Sequence, residues 1–446
     1  MSTLQKYIEQ VEQSIENKNG KKLRRLLAFL NQPKAEIRKN FPEPSEIDLY
    51  NLKKFGPVVQ YYLRATKSAL IDHSSIDCFE NVNQECINLV RASEQIEGNW
   101  IMPVITGCFD DMILLYKVAT EKHPEDLNLI LVENEINDGL APKRISRIEK
   151  LINTLKSGFN LSNNDKAFDS KSSKRSDVYF FLGNLIKYYF KMGKVELAKS
   201  AINSLKGGNK SLPNMTENVR TCKSAIIYLY HQALVSLDDG KYLESEEALN
   251  KAMGLIANHK EKVSKQLERL LLILIPLRLY NKGKIPNQTV WQRFPRLKTM
   301  YHDNFLDAIC QGNLYKFEQC MEKYQVILLK NQLYILMELL RQFVQLRVIN
   351  KTYKITSELQ TGEKSTPISA FKLALELSMY YNEEGGDEAV YVSSHQVSDL
   401  EVETIIANLI TQGYIRGYVS NTNRVVVFSK SLPFPKITDV KVEGKD

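Results

Sequence analysis

The chain has 446 residues, 43% of them hydrophobic and 25% charged, with a formal net charge of +8. That is ample material for a sizeable core and room for two or three domains, and no apolar run reaches the ~20 residues that a bilayer-spanning helix needs. The polar start lacks an apolar signal core, and six cysteines without a C-x-x-C pair offer no disulfide or metal framework, so a cytosolic or nuclear protein is expected.

Helical periodicity runs through most of the chain. Asn19-Gly20-Lys21 is a first candidate turn, and Asn99-Trp100 reads as a packing anchor. Residues 156–176, rich in Ser, Asn, Lys and Asp, read as a loop. A helix is expected over residues 177–191, a tight turn at Met192-Gly193-Lys194, and a second amphipathic helix over 195–205. Glycine suits such a turn because a left-handed backbone costs it little. The pattern returns around Gly240, between helices over 221–237 and 243–256, and again at Gln311-Gly312-Asn313-Leu314. The aromatic run Tyr179, Phe180, Phe181, Tyr188, Tyr189 and Phe190 has helical spacing and reads as core, although exposed aromatics in such a run would stack on bases. The turn glycines Gly193 and Gly240 lie 47 apart, whereas Gly240 and Gly312 lie 72 apart. The expectation is a tetratricopeptide-like stack of helical hairpins without a strict repeat. One hairpin cannot bury its own apolar face, so neighbours stack on it and form a long surface suited to partners. Residues 207–216, with Gly-Gly and Pro213, and residues 382–390 read as loops.

The end of the chain differs in kind. Residues 367–379 have a helical pattern, and Ser398-Asp-Leu-Glu401 is a capping box. The helix that follows carries Val402, Ile405, Ile406, Leu409 and Ile410 on one face and stops at Gly413. Residues 414–420 and 424–429 read as two strands around an Asn421-Thr-Asn423 turn. Helices followed by a two-stranded wing make a winged helix. The tail beyond Pro435 is polar and reads as disordered.

Charge is unevenly spread. Residues 143–210 carry 15 Lys/Arg against 5 Asp/Glu, and residues 260–298 carry 10 against 2. Residues 366–435 reverse the balance, with 4 against 8. The basic middle suits a polyanion, nucleic acid or an acidic protein segment; it equally suits a solvated Lys-rich face.

Helical hairpins followed by a winged helix resemble the PCI domain, the module shared by the proteasome lid, the signalosome and a translation initiation factor. The resemblance rests on Asn99-Trp100-Ile-Met-Pro103, Leu274-Ile-Pro-Leu277 and Gln311-Gly-Asn-Leu314. It rests most on Gly413-Tyr-Ile-Arg-Gly-Tyr-Val-Ser420, the apolar strand after it, and the run ending in Leu432-Pro-Phe-Pro435. Within that family the chain looks like the subfamily of the TREX-type, nuclear-pore-associated mRNA-export subunit and its signalosome-associated relative. The resemblance divides the chain into an N-terminal helical region (1–98), a hairpin solenoid (99–365), a winged helix (366–435) and a tail (436–446). It implies a mostly α, non-catalytic nuclear scaffold subunit that docks a larger PCI-like scaffold and a small acidic disordered protein. A signalosome- or splicing-linked subunit is the alternative; an enzyme or enzyme-regulating subunit of protein turnover is the alternative of another class.

Arg416, Arg424 and Lys430 lie on or beside the wing and are the candidate phosphate contacts, for weak RNA or DNA binding without sequence preference. Asp399, Glu401 and Glu403 open the helix that would enter a major groove. Carboxylates there repel phosphate, so these three, with Tyr414 and Tyr418, are candidate partner-docking residues instead. P-loop, nucleophile-elbow and H-E-x-x-H signatures are missing from the sequence, and no cofactor, metal or small-molecule substrate is expected.

Overall fold

The computed structural model describes residues 3–29, 37–124, 145–167, 172–207, 212–257, 264–359, 365–383, 390–393 and 396–440. The chain divides into two compact units, Met1–Gln232 and Ala233–Asp446.

Unit 1 is built from helices α1 (Thr3–Glu16), α2 (Gly20–Leu26), α3 (Gly56–Leu70), α4 (Ser75–Ser93), α5 (Met102–Lys122), α6 (Arg147–Asn163), α7 (Val178–Lys191) and α8 (Val195–Lys206). Neighbours pack as hairpins, α3 on α4, α6 on α7 and α7 on α8. Helix α9 (Val219–Asp238) crosses the division between the units. The α7–α8 turn falls where the sequence puts it, with Gly193 at φ 68°. The aromatic run of α7 is core: Tyr179, Phe181 and Tyr188 are at most 2% exposed, and Phe181 meets Phe109 edge-on at 5.2 Å.

Two expectations are corrected in unit 1. The loop read over residues 156–176 is helical as far as Asn163, because Leu155, Phe159 and Ser162 continue a buried face. Gly158 lets that face close: a Cβ there would lie 2.6 Å from the Phe181 ring. Residues 168–171 of that reading lie outside the described residues. At the first candidate turn it is Lys18 that takes positive φ, while Asn19 caps α2 by accepting from the Lys22 N–H at 3.0 Å. Gly20 is the first helical residue, and a Cβ on it would lie 1.9 Å from the Trp100 carbonyl oxygen. The glycine answers a close approach of two backbones.

A polar knot sits inside this apolar stack. Arg24 donates to Asp111 at 2.9 Å, and Asp111 also accepts from the Phe29 N–H. Glu85 is buried beside them and accepts from the Cys108 thiol at 3.5 Å. Burial, then the Asp111 charge, pushes the Glu85 carboxyl up to about 8, so it is protonated at neutral pH.

Unit 2 continues with α10 (Tyr242–Ala257) and α11 (Ser264–Lys282). A π-helical segment (Lys298–Leu306) runs into the one-turn helix Asp307–Gln311, then α12 (Leu314–Lys330) and α13 (Tyr334–Leu359). Pro276 lies inside α11 and has no N–H to give the Leu272 carbonyl four residues back. The Tyr301 hydroxyl, on the π-helical segment, donates to that carbonyl at 2.5 Å. At the Gln311-Gly-Asn-Leu314 motif Gly312 has φ 71°, and Asn313 caps α12 through the Lys316 N–H at 2.8 Å. A single hydroxyl clips the motif from outside: Ser378 Oγ donates to the Gly312 carbonyl at 2.6 Å and accepts from the Leu314 N–H at 2.9 Å.

The winged helix follows: β1 (Ser365–Pro367), α14 (Ile368–Ser378), β2 (Tyr380–Glu383), β3 (Val390–Ser393), α15 (Asp399–Thr411), β4 (Gly417–Ser420) and β5 (Val425–Phe428). The sheet order is β1-β5-β4, both pairs antiparallel, with Thr366 opposite Val426 and Val419 opposite Val426. β1 was not legible as a strand. The loop read over 382–390 is bounded instead by a β2–β3 hairpin pairing Tyr380 with Ser393, and residues 384–389 lie outside the described residues. The tail is corrected as far as Val440. Ile437–Asp439 form a 3-10 turn, and Ile437 lies so near Gly283 that a Cβ there would sit 2.9 Å from it. The mostly α fold, helical hairpins leading to a winged helix, is as expected.

Two predictions follow from these contacts. Glu85 binds a proton in the folded state at pH values where the unfolded chain, near pKa 4.3, has released it. Its contribution is complete below about pH 4 and declines as pH rises toward 8. The Glu85→Gln protein should therefore gain in melting temperature relative to wild type from pH 5 to 8.5, and a constant difference would remove Glu85 from the pH response. Tyr301→Phe leaves the Leu272 carbonyl without its donor and should cost about 1–3 kcal/mol in denaturant unfolding. In a Pro276→Ala background, where the helical N–H returns, that cost should shrink markedly.

Candidate nucleic-acid and docking interface

The winged helix is assembled around one aromatic cluster. Tyr353 of α13 meets Phe428 of β5 at 4.5 Å and Phe434 at 5.5 Å, and Phe371 of α14 meets Phe428 at 6.1 Å. α15 starts where expected, with Ser398 Oγ accepting from the Glu401 N–H at 3.1 Å. Val402, Ile406 and Leu409 are at most 1% exposed, so the predicted apolar face is the buried one. Gly413, at φ 80°, ends the helix. Gly417 allows the wing to close: a Cβ there would lie 2.3 Å from the Val427 carbonyl oxygen of the neighbouring strand.

The candidate residues separate on this frame. Arg416 is exposed, and its backbone is fixed on both sides: its N–H donates to Pro433 O and its carbonyl accepts from Ser429 N–H, each at 2.8 Å. Lys430 is exposed beyond the end of β5. Arg424 sits in the wing turn at φ 52°, with a side chain 76% exposed, and donates to Asp399 Oδ2 at 3.2 Å. Lys372 reaches the other oxygen of Asp399 at 3.3 Å. A residue read as a phosphate contact and one read as a docking acid thus form one exposed bridge. Exposed pairs contribute roughly 0–1 kcal/mol, so the bridge sets charge and geometry more than stability.

Glu401 and Glu403 are half-buried near the start of α15. Tyr418 is 61% exposed on β4. Tyr414 is corrected: it is 1% exposed and meets Phe343 of α13 edge-on at 5.4 Å. Burial pushes its hydroxyl pKa up, and the ring anchors the winged helix inward rather than facing a partner. The sequence reading missed Leu400, 72% exposed between Asp399 and Glu401, and Leu373 and Leu377, 57% and 55% exposed on α14. Leu373 and Leu377 share a spacing of four with no core to meet, and this was the available signal.

The basic middle of the chain is divided in the same way. Arg147, Lys174 and Arg175 are at most 7% exposed. Arg147 donates to the His123 carbonyl at 2.9 Å, and Lys174 donates to the Ser93 carbonyl at 3.0 Å. Arg147 and Lys174 therefore join backbone segments of unit 1, whereas Lys156, Lys166, Lys191, Lys194 and Lys206 of the same stretch are exposed. In unit 2, Lys265, Arg269 and Arg296 are exposed. Among the described residues no group of three or more His, Cys, Asp or Glu is placed to hold a metal ion, and no helix is long and apolar enough to cross a membrane.

Helical hairpins leading into a winged helix on a shared core helix define a PCI-type protein, and residues 389–430 match the PCI domain family. The "Protein CSN12 homolog" of Debaryomyces hansenii is 41% identical over 444 residues, which are 97% of this chain and 98% of that protein. The "PCI domain-containing protein 2" of Danio rerio is 23% identical over 98% of this chain, and the CSN12 homolog of Yarrowia lipolytica is 24% identical over 97%. The chain belongs to this family of PCI domain proteins, the CSN12 and PCI domain-containing protein 2 homologues.

Leu409→Asp would place an unpaired carboxylate in the core of the winged helix and should cost on the order of 3–5 kcal/mol. Thermal unfolding checks this; a soluble variant with wild-type melting would show that the face of α15 is misassigned.

Proposed function

We propose that the chain is a non-catalytic docking subunit of a nuclear, transcription-coupled mRNA-export assembly. It docks a larger PCI-like scaffold and a small acidic protein, and it contributes a basic edge to nucleic-acid binding. The observation that carries the docking role is the start of α15. Asp399 is held there between Lys372 and Arg424, with Leu400 exposed beside it. A helix that entered a major groove would bring those carboxylates against phosphates; facing a protein, the same acids and Leu400 make an apolar centre with a polar rim. Arg416 and Lys430 supply the basic edge, enough for feeble, sequence-tolerant contact by the chain alone.

A second reading, a signalosome- or splicing-associated PCI subunit, draws on the relatives that bear the CSN12 name. Purification of the tagged chain from its native cell distinguishes the two: an export scaffold in the eluate supports the first, signalosome subunits the second. The nucleic-acid role is tested by titrating labelled RNA and DNA against the chain and its complex. Arg416→Glu should weaken binding similarly across sequences and lower the salt slope by about one contact. Arg424→Glu also opens the Asp399 bridge, so it should affect partner docking as well as nucleic acid. If neither change alters binding by the complex, the wing is not the contact.

A further inference from the structure

Unit 2 contains a groove of ≈ 780 Å³ lined by α11, the π-helical segment with the residues just before it, and α12. Its floor is the buried Leu297 and Met300, with the partly exposed Leu272 and Ile327 and the half-buried ring of Tyr324 beside them. The backbone carbonyl that Pro276 sets free, that of Leu272, is taken by the Tyr301 hydroxyl. The apolar surface extends outward along α12: Val326, Ile327 and Leu329 are 61%, 43% and 52% exposed. Lys265 and Arg269, one turn apart on α11, and Arg296, on a separate element, also line the groove, and among the described residues Glu268 is the one carboxylate that lines it. None of these three cations has a carboxylate partner among the described residues, unlike Lys298, which reaches Asp303 at 4.0 Å.

We infer that this groove receives an amphipathic helix of a partner protein, its apolar stripe on Leu272, Leu297, Met300 and Ile327 and its flanking carboxylates on Lys265, Arg269 and Arg296. The inference rests on the docking reading above and gives it a second surface, separate from α15 and the wing. The lining chooses the occupant. An aliphatic trough with charged margins takes a helix through anchors at i, i+3, i+4 and i+7. Single-stranded nucleic acid needs stacking platforms, and the groove offers one tyrosine, already under the Lys323 ammonium at 5.4 Å. The unpaired cations call for carboxylates, which exclude a basic helix.

The test uses the full chain and fluorescence anisotropy with labelled helical peptides of about five turns. One has a leucine stripe flanked by glutamates, a second has lysines in place of the glutamates, and a third has serines in place of the leucines. A uridine-rich RNA oligomer is the fourth probe. The Leu/Glu peptide should bind, the other two peptides should bind at least about tenfold more weakly, and added salt should weaken the Leu/Glu complex. Arg269→Glu with Arg296→Glu, and separately Ile327→Asp, should each cost about tenfold or more in affinity while leaving melting unchanged, since these side chains are exposed. Unchanged affinity in both variants overturns the inference. So does RNA binding that the charge reversals abolish while no peptide binds; that result assigns the groove to nucleic acid. If the wild-type chain copurifies with its scaffold but binds no peptide, the groove inference falls and the docking reading stands. If it binds the Leu/Glu peptide but copurifies with no scaffold, the docking reading falls alone.

Discussion

The architecture of unit 2 depends on one long helix that belongs to two modules at once. α13 has 26 residues, close to 40 Å of rod at 1.5 Å per residue. It packs on α11 and α12 and also on α14, α15 and β1. Leu336, Met337 and Leu340 are buried toward its start, and Tyr353 enters the aromatic cluster of the winged helix near its end. Arg347 and Lys351 donate back to the carbonyls of Cys310 and Gln311, and Ser378 clips the Gly312 turn from α14. The last hairpin and the winged helix therefore share core residues and hydrogen bonds, and neither module could be reoriented against the other without breaking α13 or losing those bonds.

Much of this was legible in the chain because the relevant signals are local. The period of residues 178–191 gave a helix with a buried aromatic face, and Ser398 with the apolar positions after it gave α15 and its direction. The failures share one physical origin: they concern contacts between residues far apart in sequence. β1 is three residues long and is a strand only because Val425–Val427 lie beside it. Residues 156–163 stay helical in a polar stretch because Gly158 packs on the Phe181 ring and Ser162 donates to the Lys174 carbonyl, and Ile437 packs where Gly283 leaves space for it. Tyr414 looked like a surface aromatic at a strand end, and only the position of Phe343, some seventy residues earlier, turns it inward.

Charge was the least legible property of all. A count along the chain treats every lysine and arginine alike, whereas the fold divides them into kinds. Arg147 and Lys174 are buried and saturate carbonyls, which makes them structural donors with little outward field. Lys372 and Arg424 share the single carboxylate of Asp399, which offsets part of their charge. Lys265, Arg269 and Arg296 are exposed and have no carboxylate partner among the described residues, and this last kind attracts a partner at a distance. The sum of +8 thus says little about where attraction acts; the pairing pattern does.

The order β1-β5-β4 has a consequence for how the chain is made. The central strand, β5, is the last strand in sequence, and both of its neighbours precede it. A ribosome finishes β1 about sixty residues before its partner exists, and β4 waits as well. Until Val425–Phe428 emerge, the backbone groups of residues 365–367 and 417–420 lack their sheet partner, and the three-stranded sheet cannot form. Chains that stop short of that strand therefore leave the backbone N–H and C=O groups of both segments without their partner, and the wing forms only once the last strand is made.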